Sequence, residues 1–554
     1  MKDNSQLPNI GLTLYKVEEN SSSIRCHEQV KSWLEDCVQT HSHCRTQSNS
    51  PLPTRVIDVG LIKHDTSTFR QPYLWEPEGV PGTYVALSYC WGVNPNVVTT
   101  TSANFEAHKK CLEMNKLPKT IRDAITITRN LSIPYLWVDA LCIIQKDAED
   151  WARESGKMCQ VYSNAELTIS ASSASASSEG IFGLQKYGLP PRALQYRGHT
   201  LYTRVNTNRE HNRYTMQMCV LDAPPINRRA WTFQEATLSN RAIHYTGREL
   251  VWECNEYFSC ECEFSNTRIE ADDDISSRGI RQPELAQGTS LKEAYARWRD
   301  LLRAFSERQL TVDDDRLSAL SGLAKQFSQY LKAVSPDTDS RYVAGLWTGD
   351  LCHQLLWSIE DDWYRSTRDV TFQFRRPRSW RAPSWSWAAV EAPIQINPLS
   401  RLKCQIEIIE AEAIPKTVHD NFGQVISAKL VLKGRLVHGA TMISEKTEEE
   451  ECRNHVRGIL YQIRFGNIMH DILPDDPEGP LLSETYSCFL VGEIDMFGPV
   501  QRLFLVLRSS NDSMGDYERV GVSCLGHTFG TTGNNPQADF PIFDKALQET
   551  ICIL

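Results

Sequence analysis

Between Tyr84 and Ala171 the chain alternates short strand-forming runs with helical ones, and that alternation is the strongest limit on its fold. Tyr84 to Tyr89 is rich in strand formers and stops at Trp91–Gly92. In the run that follows, Ile121, Ala124, Ile125, Thr128 and Leu131 recur at helical spacing. Pro118 lies just upstream, and Thr120 and Asp123 have the spacing of a capping box. Pro134 closes this helix, and Tyr135 to Val138 reads as a short buried strand ending at Asp139. A second helix is predicted over 148–162 with Asp147 as its cap, and Glu166 to Ala171 alternates as a strand. The Ser/Ala tract after it has the composition of a loop. Strand, helix, strand, helix, strand is the order of a parallel α/β sheet, which predicts an α/β N-terminal half.

At 554 residues the chain exceeds one core, and about 150 residues per domain suggests roughly three. A helix is expected at Glu28 to Cys37, a strand-like run at Arg55 to Val59, and a helix followed by a hairpin over Arg228 to Cys254. The hairpin turns near Thr246–Gly247. Ala271 to Gln287 is acidic and polar, a linker by composition. Leu291 to Tyr330 is helical in pattern, with Tyr295, Trp298, Leu301, Leu302 and Phe305 on one stripe. Beyond about Ile396, β-branched alternation with glycine punctuation predicts a separate β unit. The expected division is an N-terminal helical segment at 1–52, an α/β domain at 53–270, a helical extension at 285–395 and a small β-rich domain at 396–554.

Lys and Arg total 59 against 69 Asp and Glu, a net charge of −10 that argues against broad binding to nucleic acid or anionic membranes. The short basic stretch Arg375 to Arg381 reads as a solvated or structural turn. The N-terminus lacks the apolar core of a signal peptide, and no apolar run approaches the ~20 residues of a membrane helix. A cytoplasmic protein is therefore expected, with its 17 cysteines mostly reduced and many of them buried.

Three segments together resemble the fungal heterokaryon-incompatibility (HET) family: YVALSYCWG at Tyr84 to Gly92, the stretch from Ile133 to Ser172, and RRAWTFQEATLSNRAIHYTGRELVWEC at Arg228 to Cys254. WLEDCVQTHSHC at Trp33 to Cys44, AGLW at Ala344 to Trp347, RAPSWSWAAV at Arg381 to Val390 and YERVGV at Tyr517 to Val522 extend the likeness over most of the chain. The resemblance implies allorecognition, in which meeting a genetically different partner leads to programmed cell death. The HET domain is in turn remotely similar to TIR domains, some of which cleave NAD. This implies a TIR-like parallel sheet for the HET domain, followed by the helical segment and the β-rich C-terminal domain.

Glu154 shares a predicted helix face with Trp151, Met158 and Val161. A carboxylate among apolar neighbours must be paired or has a raised pKa, so Glu154 is either a catalytic carboxylate or half of a buried ion pair with Arg122 or Arg129. The W-x-x-E arrangement also resembles the TIR stretch that carries the catalytic glutamate. Asp139, at a strand's carboxyl end, is a ligand anchor or a residue bonding nearby amides. Trp91 and Trp151 are candidate walls against a base or nicotinamide ring, and Ser88, Gln234 and Glu235 are further candidate substrate-binding residues. Buried Gln234 and Glu235 are expected to be satisfied by nearby backbone rather than by a ligand.

Cys37, His41 and Cys44, at i, i+4 and i+7, could hold zinc, but a fourth ligand is missing; core packing and a metal-free protein are expected. Cys254, Cys260 and Cys262 raise the same thought more weakly. Cys90, with His244 as base, lacks any neighbour that would activate a thiol and reads as buried. No cofactor motif is present. Three accounts follow from the sequence. The domain cleaves NAD+, as substrate, to nicotinamide and ADP-ribose; or it is a non-catalytic module that oligomerises or recruits an incompatibility partner; or the scaffold serves unrelated metabolic chemistry.

Overall fold

The computed structural model describes residues 17–44, 50–62, 65–92, 98–183, 192–196, 199–203, 224–262, 266–268, 288–359, 377, 379–397, 399, 401–445, 460–465, 468–475, 484–495, 500–510, 515–523 and 541–554. The chain divides into two compact units, 1–282 and 283–554. The predicted linker at 271–287 lies outside the described residues.

The first unit is built on strands β1 (Val56–Asp58), β2 (Tyr73–Trp75), β3 (Tyr84–Ser88), β4 (Tyr135–Trp137), β5 (Leu167–Ser170), β6 (Arg241–Tyr245), β7 (Leu250–Cys254), β8 (Tyr257–Cys260) and β9 (Asn266–Arg268). They form one sheet in the order β9-β8-β7-β6-β5-β3-β4-β1-β2. The central strands β6, β5, β3 and β4 are mutually parallel. The flanking pairs are antiparallel, so the predicted parallel sheet holds for the centre and the whole sheet is mixed. Every residue of β3 and β5 is buried, the signature of parallel strands covered on both faces.

Helix α1 (Ile24–Thr40) is longer at both ends than the predicted span, is capped by Ser23, and packs on β7. Helix α2 (Lys119–Asn130) connects β3 to β4. Its predicted capping box is not formed: Asp123 accepts instead from the backbone N–H groups of Ile181 and Phe182, at 2.8 and 3.2 Å. The predicted helix over 148–162 is broken at Gly156–Lys157 into α3 (Ala148–Ser155) and α4 (Met158–Asn164). Asp147 does cap α3, accepting from Glu149 and Asp150. Helix α5 (Trp231–Leu238) packs on α4 and β3 and leads into the β6–β7 hairpin, which turns where predicted.

The chain leaves β3 through a turn that only glycine fits. Gly92 has φ +87°, and a Cβ there would lie 2.5 Å from the Ala176 Cβ. The Ser/Ala tract is thus an ordered loop packed against Trp91–Gly92, with Ser177 Oγ donating to the Trp91 carbonyl at 3.1 Å.

In the second unit, helix α6 (Leu291–Ser306) starts at a Ser290–Glu293 capping box and buries the predicted stripe from Tyr295 to Phe305. It packs on α7 (Ser318–Val334) around a core containing the buried rings of Trp298, Trp347, Trp357, Trp385 and Trp387. The predicted β unit comprises β10 (Glu407–Pro415), β11 (Val425–Glu445), β12 (Leu460–Phe465), β13 (Ile468–Pro474), β14 (Thr485–Ile494), β15 (Gln501–Ser509), β16 (Asp516–Ser523) and β17 (Gln548–Ile553). Strand β11 is long enough to pair with β12 near its end and with β14 along its middle. Those pairings close β11, β12, β13, β16, β15 and β14 into a ring, which removes the exposed edges an open sheet would leave. Arg381, the last residue of the basic stretch, is buried and donates to the carbonyls of Asp313, Ala388 and Val390; Arg375, Arg376 and Arg378 lie outside the described residues. Cys352 and Cys404 are disulfide-bonded; the other described cysteines form no disulfide. No described helix is long and apolar enough to cross a membrane.

Candidate functional site

The connection from β3 runs to β4 on one side of it, and the chain then returns to place β5 on the other side. That reversal makes a topological switch point between β3 and β5, and ligands of open α/β sheets bind outside the carboxyl ends of strands at such a point. Ser88 and Ser170, the last residues of the two strands, are register partners there.

Four of the residues predicted to bind a ligand, Ser88, Trp91, Asp139 and Glu235, come together around the carboxyl ends of β3 and β4. Ser88 Oγ donates a short hydrogen bond to Glu235 Oε2 on α5. Asp139, just beyond β4, accepts from the Trp91 indole N–H at 2.8 Å and from the Ala140 backbone N–H at 2.6 Å. Arg229, a residue that the sequence reasoning passed over although it stands in the RRAWTFQE segment, donates to the Tyr89 carbonyl at 2.6 Å and places its charge near both carboxyls. Gln234 is 1% exposed, and neither of its amide atoms has a hydrogen-bond partner among the described residues. The expectation that backbone would satisfy it is therefore not met.

Burial dominates the electrostatics. It pushes the Asp139 carboxyl above its ordinary value, against the Arg229 charge and the bonds from Trp91 and Ala140. Burial also pushes the Glu235 carboxyl up to about 7, and the Asp139 charge adds to the rise while Ser88 and Arg229 oppose it. Between 4.5 and about 7, folded protein holds a proton on Glu235 that the unfolded chain gives up, so stability is full below 4.5 and declines as pH rises through 7. The decline amounts to about 3 kcal/mol. Denaturant titrations of the wild type and of Glu235→Gln at pH 5 and pH 8 should show it in the wild type only; equal pH slopes in the two proteins would contradict it.

Glu154 stands in a different network. It is buried on α3, and its Oε1 accepts from Arg153 Nε at 3.3 Å and Lys157 Nζ at 3.2 Å. These cations replace the Arg122 and Arg129 expected from the sequence; Arg129 instead donates to the carbonyls of Val59 and Arg70. One turn earlier, Asp150 is bonded in bidentate fashion by the buried Arg55. Trp151 meets Trp231, at the start of α5, edge to face at 6.2 Å. Cys90 is buried and its thiol is pushed up by that burial, while His244 faces Glu253 at 3.4 Å.

The cysteines regroup across the sequence. Cys254 joins Cys37, His41 and Cys44, while Cys260 and Cys262 face Glu249. Cys254 thus stands with the cysteines at the end of α1 and apart from Cys260 and Cys262, the reverse of the grouping that proximity in sequence suggests.

A parallel-centred α/β domain with one buried and one half-buried carboxyl at its switch point is the class of protein this unit defines. Residues 84–235, from the first residue of β3 to Glu235 itself, match the family model described as Heterokaryon incompatibility protein (HET), which supports a role in heterokaryon incompatibility. No curated protein and no solved structure matches the chain. The TIR likeness thus rests on sequence resemblance alone.

Proposed function

We propose that this chain is a heterokaryon-incompatibility death effector whose HET domain cleaves NAD+ at the carboxyl ends of β3 and β4. The observation that carries the reading is a pair of carboxyls, the half-buried Asp139 and the buried Glu235, set at a switch point beside the charge of Arg229. Breaking the nicotinamide–ribose bond sends the bonding electron pair out with neutral nicotinamide and leaves an oxocarbenium-like ribose. An ionised carboxylate beside that centre stabilises it, and water then adds at the same carbon and releases a proton. Asp139 supplies the negative charge. Glu235, titrating near 7, serves as hydrogen-bond partner to a ribose hydroxyl and as acceptor of the water proton. The unpartnered amide of Gln234 gives a third polar contact, and Trp91 an aromatic wall. This assignment moves the catalytic role from Glu154, whose charge Arg153 and Lys157 already neutralise.

One observation favours the second reading, a non-catalytic module: Ser88 and Trp91 already spend their donors on Glu235 and Asp139. Incubating purified protein with NAD+ and following nicotinamide separates the two. On the enzymatic reading Glu235→Gln and Asp139→Asn each lose about 100-fold or more in rate. Glu154→Gln keeps its rate and lowers the melting temperature. Folded wild-type protein that releases no nicotinamide yet still kills cells would decide for the module.

A further inference from the structure

We propose that Cys37, His41, Cys44 and Cys254 form a tetrahedral zinc site that staples α1 to the end of β7. Cys37 lies in the last turn of α1, His41 caps that helix, and Cys44 ends the single 3₁₀ turn after it. Cys254 is the last residue of β7, more than two hundred positions away in sequence. The four ligand atoms lie within 4.8 Å of one another. Zinc–sulfur bonds of ~2.3 Å and zinc–nitrogen bonds of ~2.0 Å require tetrahedral edges of roughly 3.5–3.8 Å. The Cys254 sulfur and the His41 Nδ1 are already 3.4 Å apart, so a metal needs only sub-ångström adjustment of side chains.

The surroundings are those of thiolates rather than of packed thiols. The backbone N–H of Tyr257 donates to the Cys254 sulfur at 3.2 Å, and the Arg241 Nε donates to the Cys37 sulfur at 3.2 Å. Arg241 is 2% exposed, and a buried guanidinium needs compensating negative charge. Three thiolates and one neutral imidazole around Zn²⁺ carry a net charge of −1, which supplies it beside the Glu166 carboxylate 3.6 Å away. His41 is held in a fixed orientation: its ring stacks on Tyr257 at 5.3 Å, and its outer Nε2 faces Asp36 at 4.0 Å. A carboxylate behind a ligating imidazole is a recurrent way of orienting it. An N/S set of this kind suits zinc above the harder divalent cations. Mere core packing explains neither the N–H···S bonds nor the polar histidine turned toward a sulfur.

A metal here joins the N-terminal helix to the antiparallel wing of the HET-domain sheet. It acts as a structural closure, because all four positions are taken by protein and none is left for substrate. The full-length chain, purified in reducing buffer without chelator, should contain about one zinc per chain by elemental analysis. Replacement with Co²⁺ should yield the visible ligand-field absorption of a tetrahedral thiolate centre. Cys254→Ser should lower the zinc content at least several-fold and remove that absorption. Should Cys254→Ser fail to fold, the wild-type Co²⁺ spectrum and a chelator-induced fall in melting temperature carry the test. Folded wild-type protein that is metal-free, takes up no Co²⁺ and melts at the same temperature with and without chelator would overturn the proposal. So would zinc retained in full by folded Cys254→Ser.

Discussion

Arg519→Leu is expected to destabilise the second unit by about 3–5 kcal/mol, the cost of leaving a buried charge without its partner. Arg519 is fully buried, and its Nε and Nη2 donate to the two Asp475 oxygens at 2.8 and 3.0 Å. The same guanidinium donates to the carbonyls of Leu355 and Trp357, at 2.7 and 2.5 Å, and lies 3.7 Å over the Trp357 ring. Removing it strands Asp475, itself 1% exposed, and two carbonyls that connect β16 to the segment after α7. The unit's cluster of buried tryptophans reports the loss through fluorescence-monitored urea unfolding. Arg519→Leu combined with Asp475→Leu should recover part of it, since no charge then remains unpaired. A loss under about 1 kcal/mol in the single variant would show that water reaches Asp475 on substitution.

Asp150→Ala is expected to cost the first unit about 3–5 kcal/mol for the same reason. Arg55 and Asp150 are each 2% exposed, and Asp150 also accepts from the Ile144 backbone N–H at 2.8 Å. Burial would raise the Asp150 carboxyl, but the bonds from Arg55 and Ile144 outweigh it and hold the group below its ordinary 3.8. The contribution is therefore present above that ordinary value and is lost as pH falls through the lower, folded one. The variant should show a weaker acid dependence below pH 4 than the wild type. Because Asp150 seats α3, which carries Trp151 against Trp231 of α5, its loss should also reduce any activity that depends on Glu235. A variant as stable as wild type would leave α3 to be held by its apolar contacts alone.

Much of the α/β core was legible because its signals are local. The strands at YVALS and LTIS, the helical period after Pro118 and the Asp147 cap all depend on residues within a few positions of one another, whereas the continuous burial of LTIS, where alternation was expected, comes from the helices covering both faces of the sheet. The break between α3 and α4 was missed because the apolar period continues through Gly156, and period alone does not register the turn made there. The failed capping box has a comparable cause. Asp123 has the right spacing, but two backbone amides sixty residues further on compete for its carboxylate.

The site divides in the same way. Ser88, Asp139 and Glu235 could be nominated from strand ends and a helix face, since position along the chain already says which residues come at a carboxyl end. What spacing does not contain is the order of strands in the sheet. That β5 sits on the opposite side of β3 from β4, and thereby creates a switch point, is decided by which edges pair in three dimensions. Glu154 shows the limit most plainly. Its burial was foreseen from the helix face, yet whether it meets a ligand or a lysine depends on side chains around the end of α3. The metal-ligand set is the extreme case. By itself the sequence determined that Cys37, His41 and Cys44 lie close together along the chain and offer three soft ligands; the helix face expected for them ends at Thr40, with His41 as its cap and Cys44 in the 3₁₀ turn beyond. Only the tertiary structure, by pairing β6 with β7 and laying α1 across β7, decided that the fourth would be Cys254, because chain geometry constrains near neighbours whereas packing alone brings distant ones together.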